Sequence, residues 1–114
     1  MIPADLPRLD VVVGAPAPAP VLPDPVASIM ACIRAHESDT AGGYRAENPI
    51  STASGAYQYV DGTWRDLLRE MGSRGPRHAS DASPALQDAV TRYALTHGHA
   101  KAWNGTGCPT TTKR

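Results

Sequence analysis

Three stretches of the chain repeat apolar residues at intervals of three and four, the spacing of one face of a helix. In the first, Val26, Ile29, Met30 and Ile33 stand at i, i+3, i+4 and i+7. Asp24 precedes them as a side-chain acceptor for the helix start, and Pro25 suits the first helical position, where its missing N–H is not needed. The second stretch begins at Asp61 or Thr63, runs through Trp64, Leu67, Leu68 and Met71, and stops at Gly72, a left-handed cap by type. Trp64 opens this apolar series and is expected in the core. The third is capped by Ser83 with Pro84 behind it, carries Leu86, Ala89, Val90, Tyr93 and Ala94 on one side, and ends at Gly98. Between the first two helices, residues 40–55 are rich in Gly, Ser and Asn. Ala56-Tyr57-Gln58-Tyr59-Val60 then alternates as a short strand does. The pattern predicts an α+β domain, mostly helical, with a small β-hairpin lobe.

Proline sets the boundary of that domain. Seven of the 11 prolines fall between Pro3 and Pro25, including the run Ala15-Pro16-Ala17-Pro18-Ala19-Pro20. Alternating Ala-Pro supports neither a helix nor a sheet ladder, so residues 1–23 are expected as an extended polyproline-II linker. The apolar residues 9–13 are too few to anchor a core. The folded unit is expected over residues 24–108, with a polar tail at 109–114. So small a core gains from a staple. Cys32 and Cys108, the only two cysteines, lie near its two ends. A bridge between them implies an oxidising place of work, extracellular or in a cell wall. The other reading is two unrelated buried thiols.

Charge narrows the partners. Eleven Lys+Arg balance 11 Asp+Glu, and zero net charge argues against nucleic acid, which calls for a basic excess. No stretch approaches the roughly 18–20 apolar residues of a membrane span, so no membrane insertion is expected. Met1 is followed by no basic segment and no long apolar run. The export route is therefore open: the chain is phage-encoded, leaves its cell by another path, or is a piece of something longer. A monomer is expected.

The chemistry starts from Glu37. On a helix opening near Val26, Glu37 falls within about 20° of Val26 in projection, in the middle of the apolar stripe. It also lies at the C-terminal, negative end of the helix. Desolvation and the dipole both disfavour its charged form, and a protonated carboxylic acid near neutral pH is what glycosidic cleavage calls for. The opposing reading swings Glu37 past the helix end into solvent.

Glu37-Ser38, then Tyr44-Arg45-Ala46-Glu47-Asn48, then Ser54-Gly55-Ala56-Tyr57-Gln58-Tyr59 and Thr63-Trp64 together resemble the catalytic signature of lysozyme-like lytic transglycosylases. The closest likeness is to the transglycosylase-like domain of resuscitation-promoting factors, from high-GC Gram-positive bacteria and their phages. It covers roughly residues 26–108. It includes an Ala-Ser-x-Ala-Ser-Pro-x-x-Gln-Asp segment at 79–88 and the Ala-Trp-x-Gly-x-Gly-Cys ending at Cys108. The resemblance implies a lysozyme-like fold and peptidoglycan glycan strands as the partner. It makes Glu37 the single catalytic acid and Gln58 the hairpin glutamine lining the cleft, with Gly55 allowing close backbone approach there. Tyr57, Tyr59 and Trp103 become candidates for stacking on sugar rings, with core filling as the other role for the tyrosines. Asn48 matches the loop asparagine. The loop at 39–43 is longer than the Glu-Ser-Gly-Gly common in the family, so the resemblance leaves open which loop side chain meets substrate.

Asp39 and Glu47 are candidates for a second carboxylate, although neither spacing fixes one. Without it, the 2-acetamido oxygen of N-acetylmuramic acid serves as nucleophile, and Glu37 as acid and then base yields a 1,6-anhydro sugar. Activation of water instead makes a muramidase. No cofactor is called for. His36-Glu37 begins a His-Glu-x-x-His zinc motif, but position 40 is Thr. His36, His78, His97 and His99 are too scattered to read as a metal site. Asn104-Gly105-Thr106 matches a glycosylation sequon without meaning in a bacterial chain. The alternative from another class is a non-catalytic glycan-binding module, possibly phage structural, on the same fold.

Overall fold

The computed structural model describes residues 24–110; residues 1–23 and 111–114, and with them the linker and most of the tail, lie outside the described residues. Helix α1 spans Pro25–Glu37, α2 Asp61–Met71 and α3 Pro84–Thr96, with 3₁₀ turns at Gly43–Arg45, Ala79–Asp81 and Ala100–Thr106. The start signals act as expected. Asp24 Oδ1 accepts from the Ala27 amide at 3.0 Å and Ser83 Oγ from the Leu86 amide at 3.1 Å, each followed by proline. Gly72 closes α2 in the left-handed conformation (φ 68°), where glycine bears no Cβ penalty.

Helix α3 packs against both α1 and α2. Val26, Ile29, Met30 and Ile33 of α1, Trp64, Leu67 and Leu68 of α2, and Val90 and Ala94 of α3 meet in one core. The buried stripe of α3 is rotated from the predicted one: Gln87, Val90, Thr91 and Ala94 face inward, whereas Ala89 is exposed. Two polar residues occupy core positions because each is hydrogen-bonded there. Across the helices, Arg92 of α3 bonds the capping carboxylate of Asp24, at 2.9 and 3.3 Å.

Cys32 of α1 and Cys108 form a disulfide across 76 positions. In the chain-entropy account a loop of that length stabilises by about 4–5 kcal/mol. Among the described residues no strand forms. Glu47 pairs with Ser54 and Ser54 with Tyr59 through single antiparallel bridges, and residues 55–58 make a turn. The expected strand at Ala56 to Val60 is thus corrected to a tight turn closed by reciprocal Ser54–Tyr59 backbone bonds of 2.9 and 3.0 Å. No helix among the described residues is long and apolar enough to cross a membrane.

Candidate functional site

Glu37 is the last residue of α1, one turn after the buried Ile33, and is half-buried. Burial pushes its carboxyl above the usual carboxylate value, and the neighbouring exposed His36 offsets part of this. The next residue fixes the helix end. Ser38 is buried, and its Oγ donates to the Ala56 carbonyl at 2.8 Å. Its own carbonyl accepts the amides of Ala41 and Gly43, both at 2.9 Å, which folds the longer 39–43 loop back on the helix terminus.

The end of α1 is therefore tied to the 54–59 turn, and that turn is held from every side. Gln87, 1% exposed, accepts the Ala56 amide on Oε1 at 2.9 Å and donates through Nε2 to the carbonyls of Tyr44 (2.9 Å) and Ala82 (3.0 Å). The Gly55 amide donates to the Ala46 carbonyl at 2.7 Å, and Ser54 Oγ accepts the Ser80 amide at 3.1 Å. Gly55 has φ +83°, and a Cβ there would lie 2.5 Å from Gln87 Oε1. The close approach that makes glycine necessary here is to Gln87.

Gln58, half-buried, is the one non-glycine residue of the described chain with positive φ, 55°. Its Nε2 turns back to the Gly55 carbonyl at 3.0 Å. Left-handed backbone costs about 1–2 kcal/mol in a residue with a Cβ, and such strain collects where a side chain must be aimed.

The aromatic candidates are core residues. Tyr57, Tyr59 and Trp103 are 1%, 3% and 2% exposed, so the sugar-stacking role is corrected for all three. Tyr59 packs against Trp64 and Trp103 at 5.5 and 5.6 Å between ring centroids and bonds Thr91 at 2.8 Å. Trp103 Nε1 donates to the Tyr57 carbonyl at 3.1 Å. Tyr57 accepts from Arg34 Nη1 at 2.8 Å and donates to Asp88 at 2.6 Å, and Tyr44 donates to the same Asp88 oxygen at 2.8 Å. Burial, then the bond to Asp88, pushes the Tyr57 phenol far above its usual value, so it stays a neutral donor.

Asp39 and Glu47 are both exposed. Asn48 is half-buried, accepts the Ile50 amide at 2.9 Å, and with Glu47, Ser54 and His78 lines a small cavity of about 170 Å³. The histidines are dispersed. His78 pairs with Asp61 at 2.8 Å, His99 with Glu70 at 3.1 Å, and His97 stacks on Tyr93. The donor atoms of His36, Cys32 and Cys108 lie within 4.8 Å of one another, but the disulfide occupies both sulfurs.

Reasoning from sequence assigned no role to Arg34 and held Ser38, Gln87 and Asp88 only as members of matched motifs, whereas these four side chains bind the end of α1 and the 54–59 turn into place. Gln87 had a signal: it lies three, four and seven residues before Val90, Thr91 and Ala94, on one helical face. Comparison with family models, curated proteins and solved structures found no match for this chain.

Proposed function

We propose that the chain is a peptidoglycan-cleaving glycosidase of lysozyme-like type, acting on the β-1,4 bond between N-acetylmuramic acid and N-acetylglucosamine with Glu37 as its single acid/base. The observation that carries this reading is the setting of Glu37. Its carboxyl is raised by burial at the end of α1, and the next residue, Ser38, bonds the turn that bears Gln58. A general acid must be protonated at working pH and held against the leaving oxygen; burial acts in the direction of the first requirement, and the Ser38–Ala56 bond fixes the backbone beside Glu37.

Glu37 protonates the glycosidic oxygen as the 2-acetamido oxygen attacks the anomeric carbon. The resulting carboxylate then takes the proton of the C6 hydroxyl, which closes a 1,6-anhydro ring and regenerates the acid. Exposure of Asp39 and Glu47 favours this route over one with a second enzymic carboxylate. Gln58 and Asn48 are the side chains left to contact the glycan once the aromatic rings are assigned to the core. A disulfide-stapled domain suits work in an oxidising space, outside the cell or in its wall.

Digestion of purified peptidoglycan followed by mass analysis of the released muropeptides tests the reading. Anhydro-muramyl ends are expected. Reducing ends would make the enzyme a hydrolase that uses water, and sedimentation with the wall without release would make it a binding module.

A further inference from the structure

Four of the nine arginines fall within residues 65–77, and all four line a single cleft of about 760 Å³ between α2 and the return segment after it. Arg65 and Arg69 stand one turn apart on α2, Arg74 and Arg77 on the return, and Leu68 contributes apolar floor. Two carboxylates face these four guanidinium groups: Asp66, 3.2 Å from Arg69 and 3.9 Å from Arg65, and Asp61, 3.6 Å from Arg77. Asp61 is also held by His78 at 2.8 Å. An excess of two positive charges remains in a chain whose total is zero.

The return segment is fixed in place. Ser73 donates its amide to the Leu68 carbonyl at 2.9 Å, and Trp64 Nε1 donates to the Pro76 carbonyl at 2.8 Å. A Cβ on Gly75 would meet Leu86 at 3.0 Å and Leu68 at 3.1 Å, so the backbone packs tightly there. The arginine side chains are largely exposed, 69% and 71% at Arg65 and Arg69 and 85% at Arg77. Their backbone is pinned and their charged heads stay in water, as binding a hydrated polyanion requires.

We propose that this cleft docks a phosphodiester polymer without bases, of the poly(polyol phosphate) class. Guanidinium forks match phosphate oxygens. Arg65 and Arg69 both approach one carboxylate oxygen, Asp66 Oδ1, at 3.9 and 3.2 Å, so their heads lie close enough to meet successive phosphates of one chain. Single-stranded nucleic acid fits poorly, because its binders offer aromatic faces to bases. The aromatic residue beside this cleft, Trp64, is 0% exposed, and its N–H is already bonded. The proposal stands apart from glycan cleavage, since Glu37 is not among the residues lining the cleft.

Fluorescence anisotropy of labelled poly(glycerol phosphate) with the full chain tests it. Saturable binding is expected, weakening steeply between about 50 and 200 mM salt. Arg69→Gln with Arg74→Gln should weaken it at least about tenfold and lower the log–log salt slope by about 1–2. The control pair Arg45→Gln with Lys101→Gln should change affinity less than about twofold, and Glu37→Gln should bind as the parent does. Absence of saturable binding by the parent chain overturns the proposal without touching the glycosidase reading. So does equal loss in the control pair, or single-stranded DNA of equal charge binding as tightly.

Discussion

Glu37 carries the chemistry proposed here, and its environment gives a pH signature separate from activity. Burial raises its folded-state pKa above the unfolded value, so the fold favours the protonated form. That contribution is fully present below the unfolded pKa and is lost as pH rises through the folded one. Glu37→Gln removes the loss. The melting temperature of the variant, relative to the parent, should therefore rise from about pH 3 to about pH 7, read by thermal denaturation. Muropeptide release should fall by about 10²–10⁴-fold, whereas Asp39→Asn and Glu47→Gln should each leave most of it. Near-normal release by Glu37→Gln, with loss in either of the others, would move the acid elsewhere. Gln87 is the structural counterpart. Gln87→Leu leaves the Ala56 amide and the Tyr44 and Ala82 carbonyls without their partner, at a cost of about 3 kcal/mol or more. A urea titration showing less than about 1 kcal/mol would mean that water replaces the amide.

At the scale of elements, the 54–59 turn is the part through which stability and the proposed activity should fall together. Gly55→Ala meets both a positive φ and the Gln87 oxygen, and is expected to destabilise by at least about 2 kcal/mol and to lower activity with it. The three helices were legible in the sequence because each carries a 3.6-residue stripe, and α1 and α3 also carry start signals, Asp24-Pro25 and Ser83-Pro84, that act within a single turn of chain. The turn was not. Alternation of Tyr57 and Tyr59 looks the same whether a strand neighbour or Asp88, Thr91 and Trp103 draw the rings inward, and those partners are distant in sequence. The rotated stripe of α3 was hidden for a related reason. Gln87 and Thr91 count as polar in any periodicity, and only their bonds to Ala56 and Tyr59 make them core residues. One helix alone left Glu37 either on the apolar stripe or past the helix end in solvent, and the bond that fixes that helix end, Ser38 to Ala56, spans 18 residues and leaves no local pattern.

For the molecule as a whole, the disulfide is the largest single contribution that can be removed without changing a side chain's shape. Reduction is expected to cost about 4–5 kcal/mol and to lower the melting temperature by on the order of 20 °C, measured with and without a dithiol reductant. Free labelling of both thiols in the unreduced protein would remove the bridge, and with it the support for an oxidising place of work. The bridge also orders events in time. Cys32 lies near the front of the described chain, one turn before Glu37, and Cys108 near its back. A chain emerging from its N-terminus has thus made α1, the 54–59 turn and α3 before the clasp on α1 can shut. Until residue 108 arrives, the helix that bears the acid is held only by packing and by hydrogen bonds such as Ser38 to Ala56 and Arg34 to Tyr57. A truncation just short of that point yields every proposed catalytic and glycan-contacting side chain and none of the covalent closure.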